Sequence, residues 1–390
     1  MSRLTKSKPR AGFTLLEIMV SLTVGGIALS SIYAIGAAST RHFREQQRIS
    51  SAQTSLRAAM ATLKHDFQRA GFMSTPNSKR IGEACSEPAN IEDNRVAAVN
   101  RYAQNATKPS KLDPDGLNPK AGSFYTVDDV WLTANYETSG EYPNISVSPD
   151  GYDVSVPMGW QSFQRDFSEW SGTAAANCNS AVFQQVFAED RLVRLHGQNG
   201  TFFYSRIART NCVGDSTSVA TISLRDAVPN TCSMNGGWIA PVNTYRYRVV
   251  DAETVEDDAY KRVTVLRRTE VTAELRTKPL EASNGIERIV VEDRSLLDYV
   301  VRFKVDFLGM FGKVSHVAMT EPEVQNFPEL IRGVVLDVAV RTPQQEPDFT
   351  SDVPRSAFKV FVGTGAARVR RLRAELLLPN IANRNINDPP

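Results

Sequence analysis

Glu17 is the acid whose setting asks for chemistry. It stands directly before residues 18–40, a run of 23 residues without one charged side chain. A carboxylate at the edge of an apolar helix is costly to place in lipid, so it takes a partner, takes a function, or reaches back to the headgroup level. The other reactive groups are four cysteines, Cys85, Cys178, Cys212 and Cys232. Their separations of 93, 34 and 20 contain no C-x-x-C pair, so they read as disulfides of an exported domain rather than zinc ligands. Four cysteines allow three pairings. The shortest closure favours Cys212 with Cys232, leaving Cys85 with Cys178, and that shorter loop would add roughly 3 kcal/mol.

Catalytic signatures are missing. The chain has no GxSxG elbow, no HExxH and no GxxxxGK[ST], and Gly309-Met310-Phe311-Gly312-Lys313 has neither the spacing nor the hydroxyl of a phosphate loop. Gly363-Thr364-Gly365 lacks a third glycine and reads as a turn; so does Asp113-Pro114-Asp115-Gly116, which has no distal Glu for calcium. His42, His65, His196 and His316 are scattered without ligand spacing. No catalytic residue, metal, cofactor or small-molecule substrate is expected, and the chain is read as a non-enzyme. Charge adds an exclusion. Setting aside Arg3, Lys6, Lys8 and Arg10, the 45 basic residues fall to 41 against 43 acidic ones, a poor match to bulk capture of nucleic acid.

The elements that must position these groups begin with a helix. At about 1.5 Å per residue, the uncharged run reaches roughly 34 Å, slightly more than the roughly 30 Å hydrocarbon layer, and predicts one membrane span. The four leader cations favour a cytoplasmic N-terminus, although Arg41, Arg44 and Arg48 on the far side weaken the asymmetry. Beyond the span, Ile49, Ala52, Leu56, Ala59, Leu63, Phe67 and Ala70 recur at steps of three and four, one apolar face of a continuing helix that Gly71 can end.

The segment Gly12-Phe13-Thr14-Leu15-Leu16-Glu17, behind a basic leader and before the apolar run, resembles the type III signal of type IV pilins and type II secretion pseudopilins. The resemblance implies that a prepilin peptidase cuts between Gly12 and Phe13 and methylates the new amine of Phe13. With Phe13 as the first mature residue, Glu17 is expected to pair with the α-amino group of a neighbouring subunit, neutralising both charges in an apolar filament core. Residues 63–72 resemble the helix end of PilW-type minor pilins, as do, more loosely, the strand at Tyr245-Arg246 leading to residues 266–269, residues 285–306, and residues 370–384.

The body of the chain reads as β-rich. Residues 72–125 are expected to form an irregular excursion, and short strands are expected around Asp129 to Thr133, Ala181 to Phe183, Thr201 to Tyr204 and Val219 to Ile222. Tyr245, Tyr247 and Val249 alternate with Arg246 and Arg248 and face Val263 and Val265 across an acidic turn, which predicts a hairpin; Val301, Phe303, Val305 and Phe307 alternate likewise, and Val334 to Arg341 and Arg368 to Leu378 are further strands. Arg246, Arg262 and Arg371 read as solvated outward-facing cations.

The expected fold is therefore α+β and pilin-like: a long helix packed on an antiparallel sheet with a large β-rich insertion. The parts are a leader over 1–12, the membrane and assembly helix over 13–71, a cysteine-bearing insertion over 72–240, the sheet over 241–378 and a fraying tail over 379–390. What the resemblance implies is a minor pilin of a type IV pilus: single-pass in the inner membrane, its body facing the periplasm, and after assembly at the pilus tip. Its implied partners are the prepilin peptidase, other minor pilins, the major pilin and a large tip adhesin, in the service of pilus assembly, twitching motility or adhesion. A DNA-uptake pilin, a secretion pseudopilin and a membrane-anchored periplasmic enzyme are the alternatives.

Overall fold

A single helix, α1 (Leu15–Arg69), runs through 55 residues and belongs to two units, one up to residue 53 and one from residue 54 on. In the first unit its large apolar side chains face outward. In the second, Leu56, Ala59, Met60, Leu63 and Phe67 are buried, as their spacing predicts. The helix stops before Gly71, whose φ of +80° a side-chain-bearing residue rarely adopts and whose N–H donates to the Thr133 carbonyl at 3.0 Å. The computed structural model describes residues 14–78, 85, 96–103, 126–167, 180–213, 219–251, 264–271, 290–311, 314–342, 359–362 and 365–382.

Sixteen strands follow among the described residues, with short helices between them. In chain order they are β1 (Val99–Ala103), β2 (Thr126–Ala134), β3 (Tyr142–Pro143), β4 (Ser146–Val147) and β5 (Asp153–Pro157), then α2 (Gln161–Phe167) and α3 (Ala181–Val186). Next come β6 (Leu192–His196), β7 (Phe202–Val213), β8 (Val219–Leu224), β9 (Trp238–Asp251), β10 (Thr264–Val271) and β11 (Val290–Asp298). The last are β12 (Val300–Phe311), β13 (Val314–Ala318), β14 (Ile331–Arg341), β15 (Lys359–Val362) and β16 (Gly365–Leu377). They hydrogen-bond in the order β15-β16-β14-β12-β2-β9-β6-β7-β8-β5-β4, with β10 and β11 branching from β9. The α+β class is as expected.

β9 joins two regions by changing partners along its length. Residues 238–242 pair with β6, while 244–251 pair with β10. β6 and β10 thus meet end to end along one edge of β9, and the seam at Asn243 is filled by charge: Arg191 donates to Glu270 Oε2 at 2.8 Å and Asn243 donates to Oε1 at 2.6 Å. Burial pushes the Glu270 carboxyl upward, opposed by the Arg191 guanidinium. On the far side of the seam, a lobe of β3 to β8, α2 and α3 has its own core, in which Tyr142, Phe163, Phe167, Phe183 and Phe187 stack with ring centroids 4.7–6.0 Å apart.

Several expectations change. β2 lies inside 72–240 yet sits mid-sheet between β12 and β9, so the sheet is not confined to 241–378. The excursion over 72–125 contains β1, and Val96, Ala97 and Ala98, which lead into it, are buried with Val99. Residues 181–183 begin α3 rather than a strand, because the Ser180 side chain accepts from the Phe183 N–H and caps a helix. The tail from Pro379 opens with a helical turn whose Ile381 is fully buried and whose Asn380 donates to the Gln68 carbonyl at 2.7 Å. The hairpin of β9 and β10, and strands β12, β14 and β16, form as read, with Val301, Phe303, Val305 and Phe307 buried.

Candidate assembly site

The helix begins with a reciprocal cap. Thr14 Oγ1 accepts from the Glu17 N–H at 3.2 Å, and Glu17 Oε2 accepts from the Thr14 N–H at 3.5 Å. Thr14-Leu15-Leu16-Glu17 is thus a T-x-x-E capping box, which satisfies two amides that a helix start leaves unpaired. Glu17 also places negative charge at the positive end of the helix dipole. The T-x-x-E spacing ahead of the apolar run is the sequence signal for this role. The second carboxylate oxygen, Oε1, makes no hydrogen bond to the described residues and remains available. Gly12 and Phe13 lie outside the described residues.

From Leu15 to Phe43 the helix presents apolar side chains that no described residue covers; Leu16 is 73% exposed and Ile27 69%. This stretch is long and apolar enough to cross a membrane, and none of its most apolar window is buried. Ser21, Thr23, Ser30, Ser31 and Thr40 turn their hydroxyls back to carbonyls three or four residues earlier, so the helix hides its own polar groups.

The other end of α1 is held by a buried ionic knot. Asp66 Oδ2 accepts from Arg268 Nε at 2.9 Å and from the Tyr247 hydroxyl, while Oδ1 lies 3.1 Å from His65 Nδ1. Tyr136 donates to the Asp66 carbonyl at 3.0 Å, and the Arg268 guanidinium lies 3.5 Å from the Tyr245 ring centroid. Burial, reinforced by the Asp66 charge, pushes the Tyr247 and Tyr136 hydroxyls well above the usual tyrosine range. Burial opposes the charge on Arg268, but Tyr247 and Asp66 outweigh it and hold the guanidinium above its ordinary value. Phe67 packs beside Tyr247 and Phe307, with ring centroids 6.1 and 6.3 Å away. Sequence periodicity found the apolar stripe but not this knot, whose members are up to 202 residues apart.

Residues 7–33 match the family model described as the prokaryotic N-terminal methylation motif. The N-terminus is a prepilin-type methylation signal. The match spans Gly12, Phe13, Glu17 and the first part of the exposed apolar stretch, and it supports a pilin or pseudopilin of the type IV pilus and type II secretion family. With the apolar helix, the signal supports membrane anchoring with the C-terminal body outside the cytoplasm. No curated protein and no solved structure matches the chain.

Outside the signal, two expectations are corrected. Cys85 is bonded to Cys232, with Cα atoms 5.9 Å apart, which displaces both Cys212 with Cys232 and Cys85 with Cys178. Loop length favoured the shorter closure, but the fold brings the two together: the Cys85 N–H donates to the Phe202 carbonyl at 2.8 Å, and both cysteines pack against the lobe core. Cys178 lies outside the described residues. Arg246 is not a solvated cation either, since its guanidinium grips Asp129 and stacks over Trp131 at 5.2 Å. Arg371 is exposed as expected but shares Asp337 with Arg302, and Arg262 lies outside the described residues. Among the described residues, no group of three or more His, Cys, Asp or Glu is placed to hold a metal.

Proposed function

We propose that this chain is a minor pilin of the PilW type, a non-catalytic subunit stored in the inner membrane and then inserted into a type IV pilus. A prepilin peptidase cuts between Gly12 and Phe13 and methylates the Phe13 amine. The exposed apolar half of α1 then leaves lipid for a bundle of like helices. Glu17 keeps one oxygen on its own cap and offers the other to the α-amino group of a neighbouring subunit, so two charges enter an apolar filament as a pair. The observation that carries this reading is the conjunction of the methylation signal with a capped apolar helix that the described residues leave exposed.

The large body distinguishes a tip subunit from a repeating one. A sheet of this size with an attached lobe is hard to repeat along a densely packed fibre, which supports a place at the tip, among other minor pilins above the major pilin, where a large adhesin could seat. The charge balance gives nucleic acid no general attraction. The test is N-terminal mass spectrometry of protein recovered from sheared fibres. Fibres should contain a chain beginning at N-methyl-Phe13. An intact Met1 overturns the reading, and a processed chain found only in the cell envelope transfers it to a secretion pseudopilin.

A further inference from the structure

We infer that Arg248 and Arg267, on the face of β9 and β10 turned away from α1, receive a carboxylate from a second protein. Tyr247 and Arg268 reach Asp66 on α1. Because strand positions alternate, Arg246 and Arg248 on β9 and Arg267 and Thr269 on β10 occupy the opposite face. Arg248 stands directly across from Arg267, and Arg246 is its neighbour on the same face of β9. Like charges directly opposite on paired strands are destabilising, so this pair calls for an anion.

The nearby acids are already engaged. Asp129 accepts from Arg246 Nε at 2.9 and 3.0 Å, while Asp293 accepts from Arg267 Nη1 at 2.5 Å and from Thr269 Oγ1 at 3.0 Å. Arg248 pairs with no carboxylate among the described residues, and the Nε groups of both Arg248 and Arg267 are buried there without a hydrogen-bond partner. Burial, followed by the Arg246 charge, holds the Arg248 guanidinium below its ordinary value, and Asp129 and Asp293 do not offset this. Among these five side chains, three guanidiniums meet two carboxylates, so the face is short of one negative charge.

A guanidinium takes a carboxylate through parallel hydrogen bonds, and a single carboxylate makes up a deficit of a single charge. A nucleic acid carries a phosphate at every nucleotide and would meet Asp129 and Asp293 beside the arginines, so it fits the face poorly. The complement is an Asp or Glu side chain on the surface of another protein. This face belongs to the body of the chain, and failure of the pilus reading would leave its charge unchanged.

Two measurements test this, both on the full-length protein. In detergent, thermal melts are taken at fixed ionic strength while chloride is replaced stepwise by acetate. The parent midpoint should rise with acetate. Arg248→Met, which keeps the apolar stem and removes the charge, should melt higher than the parent in chloride and gain less from acetate. Arg373→Gln, which changes an exposed arginine on β16, should keep the parent response. Equal gains in parent and Arg248→Met overturn the inference; so does an Arg248→Met midpoint below the parent in chloride, which would mean that the chain itself supplies the anion. In intact cells, a photo-crosslinking residue replaces Ser295, which is exposed and lies across from Arg267 on β11. It should link to a protein segment carrying Asp or Glu, and Arg248→Met should abolish that adduct. No adduct, an adduct with nucleic acid, or a protein adduct that survives Arg248→Met overturns the inference.

Discussion

The two halves of α1 share one backbone and have opposite environments. Before residue 53, leucines, isoleucines and valines point outward and are exposed among the described residues; after residue 54, a narrower stripe of Leu56, Ala59, Met60, Leu63 and Phe67 is buried. The first half turns its serine and threonine hydroxyls inward to the backbone, and Glu17 sits in the opening cap. The second half places an acid in the stripe itself and surrounds it with Tyr247, Arg268 and the Tyr136 hydroxyl. The contrast teaches that hydrophobicity alone marks a surface for burial, whereas directional pairing marks a surface whose cover lies within the chain.

The largest effect expected is functional and separates the two jobs of Glu17. Glu17→Gln keeps a side-chain acceptor for the Thr14 N–H but removes the charge; membrane insertion should persist while recovery in sheared fibres, measured by immunoblot, falls to background. Thr14→Ala removes the cap and keeps the charge. It should cost about 1 kcal/mol at the helix start, seen as faster amide exchange around Glu17, with the protein still entering fibres. Equal recovery of Glu17→Gln and the parent chain would leave Glu17 a cap and nothing more.

In the covered half, Asp66→Ala removes the carboxylate that pairs with the half-buried Arg268 guanidinium and should destabilise the body by about 3–5 kcal/mol in chemical denaturation. Leu63→Ala leaves a cavity and should cost about 2–5 kcal/mol. Losses below about 1 kcal/mol for both would erase the contrast between the halves.

Tyrosines at this junction supply a pH test. The unfolded chain releases its tyrosine protons near pH 10, while folded Tyr136 and Tyr247 retain theirs, so the native state binds more protons and stability falls as pH rises beyond that point. Tyr247→Phe should flatten this alkaline loss in thermal melts taken from pH 9 upward; an unchanged slope would show that the hydroxyl is not held in the knot. The smallest effect belongs to the open half. Leu29→Ala should alter unfolding of the body by no more than about 0.5 kcal/mol, because the side chain is largely exposed.

Local and periodic features were legible in the residues. The span, the stripe from Leu56 to Phe67, the stop at Gly71 and the alternation from Val301 to Phe307 each follow from spacing within a few turns or one strand. Less legible was anything set by distant partners. The helix at 181–186 turned on one serine cap against a strand-like trio of residues. Arg246 looked solvated because Asp129 and Trp131 lie more than a hundred positions away. For the cysteines, closure entropy ranked the pairings by loop length, a preference of the unfolded chain that native geometry overrode with a separation of 147 residues.

By itself, the order of amino acids determined where the signal and cap stand, how long the apolar rod is, and which strands alternate, because those properties depend on neighbours a few bonds away. Only the tertiary structure decided that β2 enters the middle of the sheet, that β9 divides its length between two partners, that Cys85 meets Cys232, and that Asp66 is neutralised by Arg268. The physical reason is that each of these joins residues whose approach is bought by the burial of the whole core, which no short window of sequence contains.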